Sequence, residues 1–145
     1  MTAYIVLAVA PVAETDVVAA PNCFGRAHTL RGNSGDNVLT GTDGNTPPKS
    51  DVIIGLGGMD IIEGEPEEEG GDKNYICGGT GNDTIDVGAG NSSGPETINA
   101  GPGNDTIDQS DSDAVDTIDC GEGTDTLTFD DGVDTHTNCE NLIPE

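Results

Sequence analysis

The chain has no tryptophan, and aromatic residues make up only 3% of its 145 positions. A conventional globular core of this length draws on large aromatic and branched side chains, so such a core would be thin here. Positive charge is almost as scarce. Four Lys plus Arg stand against 28 Asp plus Glu, a formal net charge of −24. No basic patch exists to meet a phosphate backbone or an anionic lipid, which argues against nucleic-acid and lipid partners. The two His residues, His28 and His136, stand alone, and none of the four Cys forms C-x-x-C, so zinc-ligand spacing is missing. No dinucleotide fingerprint, P-loop or H-E-x-x-H occurs. Asp111-Ser-Asp113 lacks the following Asp/Asn-Gly of an EF-hand loop. Carboxylate pairs are so frequent that no single pair singles out glycoside chemistry. The apolar stretch Ala3–Ala13 is too short to span a membrane.

What the chain has instead is 22 glycines and a repeated nine-residue unit. The cleanest copy, GGTGNDTID (Gly78 to Asp86), fits G-G-x-G-x-D-x-U-x at every fixed position, U being a large aliphatic. Nine copies run from Gly32 to Thr128. U reads Leu39, Ile53, Ile62, Ile76, Ile85, Ile98, Ile107, Ile118 and Leu127. Position six reads Asn37, Asp51, Asp60, Asn74, Asp83, Glu96, Asp105, Asp116 and Asp125. Every U residue is Leu or Ile, and every position-six residue carries a side-chain oxygen; chance does not give both registers together. A unit this short cannot bury a face alone, so copies must stack. In the strand x-U-x, U points inward and its neighbours outward. That predicts a core one Ile or Leu wide, with no aromatic needed. Glycine at turn positions one, two and four permits positive φ and lets the backbone pass close to an ion. Gly-rich turns ending in Asp point to a hard cation bound by oxygen. Like charges stacked at about 4.8 Å, the strand spacing, also require counter-ions.

These repeats resemble the hemolysin-type, or RTX, calcium-binding repeats over about two thirds of the chain. The resemblance implies a parallel β-roll with two repeats per coil, and calcium held between stacked turns by position-six carboxylates and turn carbonyls. The expected fold is therefore all-β: a right-handed parallel β-roll, or β-solenoid, of nine repeats. Odd copies have nine residues each, whereas even copies have 14, 14, 13 and 11. With two repeats per coil, odd stacks on odd. One edge then has short uniform turns, and the other carries loops. The short edge aligns Asn37, Asp60, Asp83, Asp105 and Asp125, with the position-four glycines Gly58, Gly81 and Gly103. Five stacked turns leave four gaps, so up to about four calcium ions are expected there. Asp51 and Asp116 are secondary candidates on the looped edge. The metal-free roll should be loose, and calcium should fold it by linkage.

The four Cys fit disulfides in an oxidising compartment. Cys120 and Cys139 lie about one coil apart, Cys139 following a tenth strand at Thr135–Thr137 with His136 at U; the ending NCENL resembles ends seen in this repeat family. By elimination Cys23 pairs with Cys77, which requires a segment across the outer face. Outward residues of early copies are apolar (Val38, Val52, Ile54, Ile61, Tyr75), and those of later copies are polar. The early half is thus expected to be covered, with the stretch upstream of Cys23 as the cover, and residues 23–31 as an imperfect leading repeat with Leu30 at U. Residues 1–22 form an apolar N-terminal segment and 23–145 the repeat domain. Truncated signal, wrongly chosen start and packed strand remain open for the first segment, with the cysteines favouring a signal remnant.

The reading is a secreted or cell-surface calcium module without catalytic residues, meeting an unidentified protein or surface. One alternative is the secretion tail of a secreted enzyme or toxin. Another is ice binding, which some calcium-loaded rolls of the family perform; but the third turn positions of the short edge, Ser34, Gly57, Thr80, Pro102 and Glu122, form no Thr/Asx row.

Overall fold

The computed structural model describes residues 23–42, 50–64, 73–87, 94–110 and 114–145. Two parallel six-stranded sheets face each other, and the chain alternates between them at every turn. The first sheet comprises β1 (Leu30–Arg31), β3 (Val52–Gly57), β5 (Tyr75–Thr80), β7 (Thr97–Pro102), β9 (Thr117–Glu122) and β11 (Thr135–Thr137). The second comprises β2 (Val38–Thr40), β4 (Ile61–Glu63), β6 (Thr84–Asp86), β8 (Thr106–Gln109), β10 (Thr126–Phe129) and β12 (Asn141–Pro144). Among the described residues there is no helix. This is an all-β parallel solenoid. Even-copy strands lie in the first sheet and odd-copy strands in the second, as the copy lengths implied.

Register follows the U position. Leu30, Ile53, Ile76, Ile98, Ile118 and His136 stand side by side in one sheet. Leu39, Ile62, Ile85, Ile107, Leu127 and Leu142 do so in the other. From Ile53 to Leu127 the exposure of these side chains is at most 1%. Each contributes about 1.5–3 kcal/mol by leaving water. The stack runs past the nine expected copies: β1 precedes them, and β11 and β12 follow. The leading repeat at Leu30 and the tenth strand are present; β12 was not foreseen.

The core is also wider than one column. Val87, Ala100, Cys120 and Phe129 join it, all at first positions of copies or just beyond the last. Phe129 meets His136 edge-on, with 4.7 Å between ring centres. The C-terminal coils therefore do use an aromatic, where the sequence suggested none was needed.

The outer face corrects a second expectation. Val52, Ile54 and Tyr75 are buried and cluster with Cys23, but Val38 and Ile61 are 69% and 44% exposed. The early apolar residues belong to two different sheets, and only the first is covered. The turn at Cys23–Arg26 lies there, with the Arg26 guanidinium 3.9 Å from the Tyr75 ring centre and Phe24 beside the same ring. The stretch expected to supply the rest of the cover, residues 1–22, lies outside the described residues. Leu56 joins the same cluster at φ 86°. A non-glycine there carries a cost of about 1–2 kcal/mol.

Two disulfides close the chain: Cys23–Cys77, Cα atoms 5.7 Å apart, and Cys120–Cys139, 5.2 Å apart. The first ties the covering turn to β5, and the second ties the final turn to β9.

Candidate metal centre: a carboxylate column on the short-turn edge

The turn between an even strand and the following odd strand is built by glycine. At position two, Gly79, Gly101 and Gly121 take φ near +100° to +114°, and at position four Gly58 and Gly81 take 104° and 127°. The turns stack so tightly that a Cβ at Gly81 would run into the Gly58 carbonyl, and one at Gly103 into the Gly81 carbonyl. Position two shows the same contact, Gly79 against the Leu56 carbonyl and Gly101 against that of Gly79. Two files of backbone carbonyls thus run up the edge. Position-one glycines serve a different purpose from the one expected. Gly55 and Gly78 do not have positive φ. A Cβ there would strike the position-six carboxylate, lying 2.6 Å from Asp83 Oδ2 in the case of Gly78.

Asn37, Asp60, Asp83, Asp105 and Asp125 form one column, linked by a single kind of hydrogen bond. The Asn37 N–H donates to Asp60 Oδ1 at 2.8 Å, Asp60 to Asp83 at 2.9 Å, Asp83 to Asp105 at 2.8 Å and Asp105 to Asp125 at 2.8 Å. The ladder ends one rung beyond the expected column. The Asp125 N–H donates to Glu140 Oε2 at 2.9 Å. Each Asp thereby uses one oxygen. The other, Oδ2 of Asp60, Asp83, Asp105 and Asp125, is buried without a hydrogen-bond partner. All four residues are at most 1% exposed. Burial pushes the Asp60, Asp83 and Asp105 carboxyls above their ordinary value, Asp105 to about 6, with backbone hydrogen bonds opposing the shift and nearby carboxylates adding to it: Asp36 for Asp60, and column neighbours for Asp83 and Asp105. A buried, unpaired carboxylate is costly. Four in file demand a counter-charge.

The looped edge carries a similar ladder with a different outcome. Asp51 N–H donates to Asn74 Oδ1, Glu96 N–H to Asp116 Oδ1 and Asp116 N–H to Asp134 Oδ1. Here protein groups take the second oxygens of Asp51, Asp116 and Asp134. The Thr42 N–H and hydroxyl hold Asp51 Oδ2 at 2.6 and 3.0 Å, Gln109 Nε2 holds Asp116 Oδ2 at 2.8 Å, and the Asp130 N–H holds Asp134 Oδ2 at 3.0 Å. Thr42 is the second residue of copy two, and Asp130 lies just past the ninth copy.

Sequence reasoning missed Glu140 and Asp134, which occupy position six of the last two, shortened units. It also missed an outer ladder at position five, in which Asp36 accepts from Met59 N–H, Asn82 from Asn104 N–H and Asn104 from Thr124 N–H. The Asn/Asp at those positions was the available signal. Gly90–Gly94 has G-x-S-x-G spacing, but most of it lies outside the described residues, and the strand-to-helix turn that motif needs has no described helix to form it.

Among the described residues, no three His, Cys, Asp or Glu side chains converge on one point. A cation on this edge must therefore complete its shell with backbone carbonyls, and the donor set on offer is carboxylate plus carbonyl. All-oxygen donors suit calcium.

The model for the RTX calcium-binding nonapeptide repeat (four copies) matches residues 29–45, 70–91 and 92–108. The chain is a parallel β-solenoid, and the matched residues carry RTX calcium-binding repeats. No curated protein and no solved structure matches it. Among the described residues, no helix is long and apolar enough to cross a membrane.

Proposed function

We propose that this chain is an extracellular calcium-dependent structural module, whose short-turn edge binds calcium and folds on doing so. The observation that carries this reading is the file of buried, partnerless Oδ2 atoms at Asp60, Asp83, Asp105 and Asp125. Asn37 and the carbonyls of Gly58, Gly81 and Gly103, each glycine two places before a column residue, complete the ligand set in this reading. Calcium supplies the positive charge that lets like-charged turns stack. The chain's own part is to fix the carboxylates: each preceding N–H holds one oxygen and leaves the other for the ion. Asp51 and Asp116 are weaker ligands in this reading, because Thr42 and Gln109 already satisfy them. The two disulfides support secretion. The role is a folded spacer or recognition surface rather than catalysis, toward a protein or surface partner that its chemistry does not single out.

Calcium titration followed by calorimetry and circular dichroism tests this reading. Binding of several ions per chain with a gain of β-signal is expected; a chain equally folded in chelator and binding no calcium would overturn it. The alternative, a tail of a longer secreted enzyme or toxin, uses the same calcium chemistry.

A further inference from the structure

The carboxylate ladder does not stop where the regular repeats stop. Its last rung comes from the C-terminal cap. Successive rungs are 23, 23, 22 and 20 residues apart, but Glu140 follows Asp125 by only 15. The connecting turn is shorter than those before it, yet β12 keeps the register, Asn141 beside Thr126, so Glu140 stands level with Asp125. Asp125 is fully buried, and its Oδ2 has no partner. The rest of the cap is fastened covalently. Cys139, immediately before Glu140, is bonded to Cys120. Cys120 occupies position one of its copy, the corner that in earlier copies abuts the position-six Oδ2: Gly55 beside Asp60, Gly78 beside Asp83. The disulfide therefore runs from the first residue of Asp125's own copy to the residue next to Glu140. On its other side Glu140 is held only by hydrogen bonds, the Asn141 N–H and Nδ2 donating to the Asp125 carbonyl at 2.9 and 3.2 Å, in a strand whose residues are exposed.

We propose that Asp125 and Glu140 form a terminal calcium site of their own, and that the Cys120–Cys139 disulfide keeps it assembled. This rests on the calcium reading above and adds a redox condition to it. The site makes one more gap than the five regular turns provide. An external dithiol delivers two electrons and two protons to the disulfide, leaving thiols at Cys120 and Cys139 and the oxidised cyclic reagent. Glu140 is then tethered only through the backbone of a short exposed strand, and the last ion loses a ligand. Coupling is reciprocal: if the disulfide strengthens calcium binding, calcium protects the disulfide.

The test is calorimetric stoichiometry with calcium chloride on the full oxidised chain, on the Cys120→Ser/Cys139→Ser variant and on Glu140→Gln. Glutamine keeps an acceptor for the Asp125 N–H and removes the charge. Both variants should bind one ion fewer than the parent, and combining them should remove no further ion. Cys23→Ser/Cys77→Ser should keep the parent count. In parallel, calcium should slow dithiothreitol reduction of Cys120–Cys139 severalfold, read by alkylation and mass spectrometry, and leave the Cys23–Cys77 rate less affected. Equal ion counts in the parent, the serine variant and Glu140→Gln would overturn the proposal while leaving the calcium reading intact. A parent that binds no calcium would overturn both. If the serine variant does not fold, Glu140→Gln in the oxidised chain decides alone.

Discussion

The main-chain N–H of Asp83 donates to Oδ1 of Asp105 at 2.8 Å, while Oδ2 of both residues is buried without a partner. The arrangement fixes each carboxylate with one oxygen and leaves the other unsatisfied. It is stable only if something positive arrives, and the stability of the whole edge follows from that.

Removal of calcium should unfold the chain. Exposed to chelator, it should lose its far-UV β-signal, and millimolar calcium should restore it, since extracellular oxygen sites of this kind bind at about 10⁻⁴–10⁻³ M. Magnesium should substitute poorly, because it demands a strict octahedral, partly hydrated shell. An unchanged spectrum on chelation would refute the dependence.

Asp83→Ala and Asp51→Ala should fail differently. Asp83→Ala removes an open oxygen mid-column and should raise the calcium midpoint by about tenfold, equivalent to about 1.4 kcal/mol. Asp51→Ala strands the Thr29 and Thr42 donors and should cost about 1–3 kcal/mol of stability with a smaller change in midpoint. Equal midpoint shifts in calcium-monitored circular dichroism would refute the division between the two edges.

Gly81→Ala should be far more damaging than Gly132→Ala. Both glycines have positive φ, so both substitutions carry the left-handed cost of about 1–2 kcal/mol. At Gly132 an added Cβ meets nothing within 4 Å, whereas at Gly81 it strikes the Gly58 carbonyl and must push two turns apart. Thermal melts in saturating calcium should show a modest loss for Gly132→Ala and a large one for Gly81→Ala. Similar losses would show that turn stacking is looser than described.

Acid should partly replace calcium. Burial raises the Asp60, Asp83 and Asp105 carboxyls, Asp105 from 3.8 to about 6. The folded chain then holds protons that the unfolded chain has released, so this contribution is fully present below about pH 3.8 and is lost as pH rises through about 6. Calcium-free protein should gain β-signal on acidification from pH 7 to 4. The calcium midpoint should rise over the same interval, as protons compete for the column. A pH-independent midpoint would contradict a buried column.

The Cys23–Cys77 bridge closes a separation of 54 residues. In the chain-entropy account that is worth about 4 kcal/mol, felt most when calcium is scarce. Cys23→Ser/Cys77→Ser should therefore raise the calcium concentration needed to fold, as monitored by circular dichroism. An unaltered midpoint would mean that the Cys23–Arg26 turn adds nothing to the roll.

Strand register was legible in the sequence because it depends on one recurrent choice. A Leu or Ile every nine residues or so, with Asp, Asn or Glu two places before it, fixes which residues face inward and which stack. Copy lengths separated Asp83 from Asp51 for the same reason, since a turn of fixed length repeats its geometry. Tertiary structure decided the rest, where the residue type is common to several roles. Val52 and Val38 are the same amino acid at equivalent places, yet one is buried in the cluster with Cys23 and Tyr75 and the other is open to water. Only the alternation between two sheets, and what crosses each, separates them. Thr42 and Gln109 look like ordinary polar residues until folding brings them to Asp51 and Asp116. Glu140 lies 15 residues from Asp125, at a spacing that matches no repeat, and becomes the last rung because β12 pairs in register with β10. Periodic patterns record contacts between equivalent positions; contacts between unlike segments leave no period, and the folded chain alone reveals them.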